Sequence, residues 1–259
     1  MDLSSLSPLT EVVGSPTTSL LFLLCVAVAT YVQTLTGFAF GLVLLSLVAT
    51  FDLASVVDAA NTATVLTLAN AVAFFRAERQ PPPWKMMRPA LIASLFTVLI
   101  GVLLLRWISN NSADWLKTAL GIAIVVCAIA LVARKSQSER VGRPSGFAMA
   151  GALSGLMGGL FGTSGPPIVY HLYRQPLSAD VVRRALLVMF ASNAGVRLVL
   201  VAVSIGMSPR ALLLSVLSVP VVHVATRLTL KAPSPISPSA MRLVVAGLLV
   251  MTGVAMVVV

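Results

Sequence analysis

Arg197 stands well inside an apolar run, fourteen residues beyond Arg183, and helical spacing puts Asn193 one turn before it on the same face. A cation at membrane depth costs at least about 2.5 kcal/mol on insertion scales and is rarely left facing lipid. Two roles stay open for it: an anion-binding charge beside a translocation path, or a side chain that snorkels or bridges helices. Its matching position in the first half of the chain is Phe74, so symmetry gives no support. Asn70 and Asn193 do match, each in an otherwise apolar span, where an amide can hydrogen-bond a ligand or tie two helices together.

Two glycine-punctuated strings surround these residues in sequence, Thr36-Gly37-Phe38-Ala39-Phe40-Gly41 and Met157-Gly158-Gly159-Leu160-Phe161-Gly162. Each interrupts a hydrophobic segment, and a helix break repeated at corresponding places in two apolar halves points to a binding site in a secondary transporter. A helix that restarts after a break leaves about four N–H groups without intrahelical partners and carries roughly half a unit of positive charge, which attracts anions. Glycine allows close approach there. Gln33, Thr34 and Thr36 in the first half, and Thr163 and Ser164 in the second, can complete the hydrogen bonding, while Pro166-Pro167 suits the first turn of a new helix.

The elements that must hold these groups are membrane helices. Hydrophobic residues make up 58% of the chain and charged residues 10%, against roughly 25% charged in soluble domains, and mean hydropathy is +0.99. The +10 formal charge would suggest nucleic acid in a soluble protein, but here the basic residues sit between apolar runs and nucleic acid is excluded as a partner. The first eighteen residues hold Asp2 and Glu11 and no Lys or Arg, so a cleaved secretory signal is not expected.

Apolar stretches run from about 20 to 50, with a break near 34 to 38, then from 54 to 75, 87 to 105 and 115 to 134. The pattern restarts as a broken stretch from 146 to 173, followed by spans at 183 to 205, 210 to 228 and 241 to 259. This predicts an all-α polytopic fold: a first membrane repeat over 1–134, a polar linker over 135–145, and a second repeat over 146–259. Fourteen of the eighteen Lys and Arg residues fall on one side if each broken stretch is a hairpin followed by three crossings. The repeats are then inverted, the linker is cytoplasmic, and both termini are extracytoplasmic. The hairpin tips would approach one another near the bilayer centre.

The strings from Val32 to Val43 and from Gly155 to Tyr170 resemble the sulfite exporter TauE/SafE family, also called the toluene sulfonate uptake permease family. The likeness spans nearly the whole chain, although Phe38-Ala39-Phe40 stands where the family often has more glycine. The resemblance implies a bacterial inner-membrane transporter of a small sulfur-containing anion such as sulfite, a sulfonate or sulfoacetate. The expected substrate-binding residues are Gln33, Thr34, Thr36, Gly37, Phe38, Gly41 and Asn70 from the first half. From the second half they are Gly158, Gly159, Phe161, Gly162, Thr163, Ser164, Gly165, Asn193 and Arg197.

An anion channel, or a carrier of a non-sulfur organic anion, is the alternative. No P-loop, HExxH or readable Ser-His-Asp arrangement supports an enzyme, and no cofactor or metal is expected. His223 could relay protons or be a packed core residue, His171 is expected at the interface, and Asp52 and Asp58 in a solvated turn. A coupling proton or cation, membrane lipid and a homodimer partner are further expectations. Cys25 and Cys127 lie in apolar runs and read as small core residues.

Overall fold

The computed structural model describes residues 16–109, 141–161, 166–204 and 206–232, with isolated helical positions between 122 and 129 and between 240 and 250. The predicted spans at 115–134 and 241–259 lie outside the described residues. Eight helices and no strands are present among those described: α1 Pro16–Thr36, α2 Phe40–Thr50, α3 Val56–Glu78, α4 Trp84–Ser109, α5 Pro144–Phe161, α6 Pro166–Tyr173, α7 Ala179–Ser204 and α8 Pro209–Lys231.

Four of these are long and apolar enough to cross a membrane: Pro16–Thr36, Trp84–Leu104, Ala179–Val203 and Pro209–Lys231. Their outward faces are hydrocarbon-like, with Phe96 68% and Val203 83% exposed, as lipid requires of a surface that no water meets. α3 is as long at 23 residues, but it turns Thr62, Thr64, Thr67 and Asn70 into the interior. α1, at 21 residues, is about 31 Å long and can cross the whole hydrocarbon core. α2, at 11 residues, returns only about 16 Å. The first hairpin is therefore asymmetric, a full-length helix followed by a half-length one.

The break between them falls where Thr34 to Phe38 predicts it. Gly37 takes φ 81 and Ala39 φ 75, two left-handed residues that turn the chain. A Cβ at Gly37 would lie 2.6 Å from the Arg183 carbonyl oxygen on α7, so both backbone angle and space demand glycine there. The Thr36 hydroxyl donates to the Val32 carbonyl (2.7 Å) and accepts from the Phe38 N–H (3.3 Å), closing the turn. In the second half α6 begins at Pro166, the restart that Pro166-Pro167 predicts.

The closest helix pair is α4 with α5. Gly151, Gly155 and Gly159 recur every fourth residue along one ridge of α5, and a Cβ on any of them would collide with the α4 backbone at Ala90, Ser94 and Val98 respectively. Thr97 Oγ1 donates across this seam to the Ala152 carbonyl (2.7 Å). In lipid, where burial of apolar surface gives no drive for helices to associate, such close van der Waals approach is what holds them.

Packing between elements repeats across the two halves. α1 packs on α2 and α3, and α2 on α3; α5 packs on α6 and α7, and α6 on α7. Between halves, α4 meets α5 and α7 while α8 meets α1 and α3, and α3 lies against α7. Among the described residues, each of these packed pairs in one half has a counterpart in the other.

Candidate functional site

A cavity of about 50 Å3 lies where α1, α2, α3, α5 and α7 converge. By the space a water molecule needs, it holds a few waters or one compact oxyanion. Its lining joins Gln33 of α1, the start of α2 from Ala39 to Leu42, Thr64 and Thr67 of α3, Gly158 of α5, and Asn193 and Arg197 of α7.

Three features give the cavity its chemistry. The first intrahelical bond of α2 runs from the Val43 N–H to the Ala39 carbonyl (2.9 Å), so the N–H groups of Phe40, Gly41 and Leu42 have no partner within the helix. Ala39 caps the helix with no side-chain bond, and the cavity meets this positive end directly. Arg197 is the second feature. Its Nη1 donates to Thr64 Oγ1 (2.9 Å), and that hydroxyl donates in turn to the Ala60 carbonyl (2.9 Å). Thr64 thus anchors the guanidinium through one of five N–H donors. The third is Asn193, 4% exposed. Its Oδ1 accepts from Ser94 Oγ (2.9 Å), while its Nδ2 is buried without a hydrogen-bond partner. Gln33 is similarly enclosed, with its Oε1 unpartnered. Buried polar groups are nearly always paired, so the Asn193 Nδ2 is a donor available to an anion, whereas the Gln33 Oε1 is an acceptor that only a donor can use.

Gln33, Gly41, Gly158, Asn193 and Arg197 are therefore brought together from the residues singled out in the sequence. Others are placed elsewhere. Thr34 accepts a hydrogen bond from Asn70 Nδ2 (3.1 Å), and Thr226 of α8 accepts a second (3.2 Å). Asn70 is wholly buried and joins three helices away from the cavity. Thr36 and Gly37 form the turn, Phe38 packs edge-on against Tyr173 (6.5 Å), and Gly159 belongs to the α4 seam. Phe161 ends α5. Gly162, Thr163, Ser164 and Gly165 lie outside the described residues. Thr64, Thr67, Phe190 and Ala194 line the cavity and were not read from sequence.

Asp58 is more than a solvated loop residue. Its N–H bonds the Ser55 side chain as a helix cap (3.1 Å), and its carboxylate accepts from Ser208 at the start of α8. Arg210 donates to the Leu53 carbonyl nearby (3.1 Å). At the opposite end of α3, Glu78 pairs with Arg183 of α7 (3.2 Å). His171 packs edge-on to Phe147 (4.6 Å) at the base of the second hairpin, and His223 is absent from the cavity lining. Among the described residues no group of His, Cys, Asp and Glu could hold a metal ion.

Apolar outer faces, several membrane-length helices and a cavity between broken helices, apolar over most of its lining with a few convergent polar groups, define a multi-pass membrane transporter. Comparison with known sequences makes the assignment specific. The pattern of the family described as sulfite exporter TauE/SafE matches residues 21–256, and the chain belongs to that family, whose members are transporters and not enzymes. A protein of Cupriavidus necator named as a probable sulfite/organosulfonate exporter is 31% identical over 224 residues, covering 86% of this chain and 88% of that protein. No solved structure matches.

Proposed function

We propose that this chain is a secondary carrier of the bacterial inner membrane that moves a small sulfur oxyanion, with sulfite as the best fit. The observation that carries the proposal is the meeting of Arg197, the unpartnered Asn193 Nδ2 and the open start of α2 around one small cavity. Each supplies a donor and none supplies a negative charge, so an oxyanion completes all three. About 50 Å3 suits a compact anion better than an aryl sulfonate. The likeness to a probable sulfite/organosulfonate exporter supports the same cargo class.

The matched packing of α1 to α4 and α5 to α8 supports two repeats, and the Lys and Arg distribution supports their inversion about the 135–145 linker, with the termini outside. In this reading the cavity alternates between the two sides. Opening toward one side releases Asp58 from Ser208 and Arg210 from Leu53; opening toward the other releases Glu78 from Arg183.

The test is sulfite flux in proteoliposomes, with wild type and Arg197→Gln compared. A charge-assisted hydrogen bond contributes about 1.5–3 kcal/mol, so the variant is expected to lose at least tenfold in apparent affinity while remaining folded. Saturable flux with wild-type affinity in Arg197→Gln would sink the site assignment. Flux in wild type that never saturates and shows no exchange of label would identify a channel instead.

A further inference from the structure

A second, larger cavity of about 720 Å3 opens beside α3, α7 and the turn that leads into α4. None of its lining residues is shared with the anion cavity. Its polarity is graded along α3. Leu68, Val72 and Phe75 form one apolar wall and Val188 of α7 faces into the same space, whereas Arg76, Arg79 and Trp84 gather at one end. Since a helix rises about 1.5 Å per residue, Arg76 and Arg79 sit about 12 and about 16 Å along the axis from Leu68.

The two guanidinium groups are unspent. Nearby Arg183 is paired with Glu78 and Asp180, and Arg184 donates to Gln80 and to the Pro81 carbonyl. Arg76 and Arg79, by contrast, have no side-chain hydrogen bond or ion pair among the described residues, and both are exposed. Trp84 is 54% exposed beside them, the position of an aromatic residue at the boundary between lipid tails and headgroups.

We propose that this cavity is a binding site for one anionic phospholipid, with its phosphate on Arg76 and Arg79, its glycerol backbone against Trp84 and an acyl chain along Leu68, Val72 and Phe75. A free phosphate would satisfy the arginines and leave the apolar walls bare. A neutral lipid would fill the walls and leave two cations unmatched. Only an anionic amphiphile answers both ends of the gradient, and basic pockets between membrane helices recognise such headgroups.

Trp84 provides the readout. In full-length protein with Trp107 and Trp115 replaced by Phe, reconstituted in phosphatidylcholine nanodiscs, brominated phosphatidylglycerol is expected to quench Trp84 at one third or less of the mole fraction needed with brominated phosphatidylcholine. Arg76→Gln/Arg79→Gln should abolish that preference. Lys85→Gln, at an exposed basic residue in the first turn of α4 that lies outside the cavity lining, should retain it. Equal quenching by the two lipids overturns the proposal, as does a preference lost equally in Lys85→Gln, which would mean general surface attraction. Relief of quenching by inorganic phosphate would move the site to a soluble ion. Absence of quenching by either lipid, with Val72→Cys cross-linking between two copies, would give the face to a dimer. None of these outcomes involves sulfite, so the carrier reading stands or falls separately.

Discussion

Asn70 and Asn193 occupy matching places in the two halves, yet the fold uses them differently. Asn70 donates to Thr34 and Thr226 and is sealed from the cavity, and the atom it leaves unpartnered is Oδ1, an acceptor that an anion cannot use. Asn193 takes one hydrogen bond from Ser94 and keeps Nδ2 unpartnered beside Arg197. One turn further along, the first half has Phe74, wholly buried beneath the Arg183 guanidinium (5.0 Å), where the second half has Arg197. Two similarly placed amides thus differ in use. Both amides reach a hydroxyl on the fourth helix of the opposite half, which ties the halves together, and one of them has a donor left over for a ligand.

The same substitution at both positions gives the sharpest contrast. Asn70→Asp buries a carboxylate among groups that cannot neutralise it, a cost of about 3 kcal/mol or more, and the variant should be recovered poorly or melt far below wild type. Asn193→Asp lies one turn from Arg197 on the same face of α7 and should fold normally but bind no sulfite, since its own carboxylate takes the anion's place. Two equally unstable variants would remove the distinction. Truncation to alanine should separate affinity from stability. Asn193→Ala is expected to weaken sulfite binding about tenfold with little change in melting temperature, losing one donor to a charged ligand. Asn70→Ala should lower stability by about 1–2 kcal/mol through lost interhelical bonds and a small void, with sulfite affinity within twofold of wild type. The smallest effect belongs to Ser94→Ala. Removing the donor that orients Asn193 Oδ1 should cost about 0.6 kcal/mol, near threefold in binding, and leave Asn70→Ala unchanged in a double-mutant comparison.

The broken helices were legible because glycines gathered inside an apolar run weaken a helix that would otherwise continue; the turn at Gly37 and the restart at Pro166 follow them closely. Arg197 and Asn193 were legible as polarity placed where lipid penalises it. Thr64 was not, although it anchors Arg197. A threonine can satisfy its hydroxyl on the carbonyl four residues earlier, as Thr64 does on Ala60, so its presence in a membrane helix carries little information. Gly158 and Gly159 show a different limit. Adjacent in sequence, they point about 100° apart on a helix, one to the cavity and one to the α4 seam. Glycine content alone cannot tell a tip from a seam, and the four-residue spacing of Gly151, Gly155 and Gly159 only acquires meaning once α4 is beside it. The asymmetry of the first hairpin was equally hidden, since composition does not say how far beyond a break the second helix continues.

The glycine seam also bears on how the molecule is made. It fastens α4, which ends at Ser109, to α5, which begins at Pro144. Because the chain is made from its N-terminus, α4 is made before the ridge that covers Ala90, Ser94 and Val98, and that strip of backbone lacks its cover until Gly159 has been added. Assembly of the first half is therefore completed only by translation of the second. A chain that stopped before Pro144 would leave in the bilayer a helix whose glycine-ridged neighbour was never built.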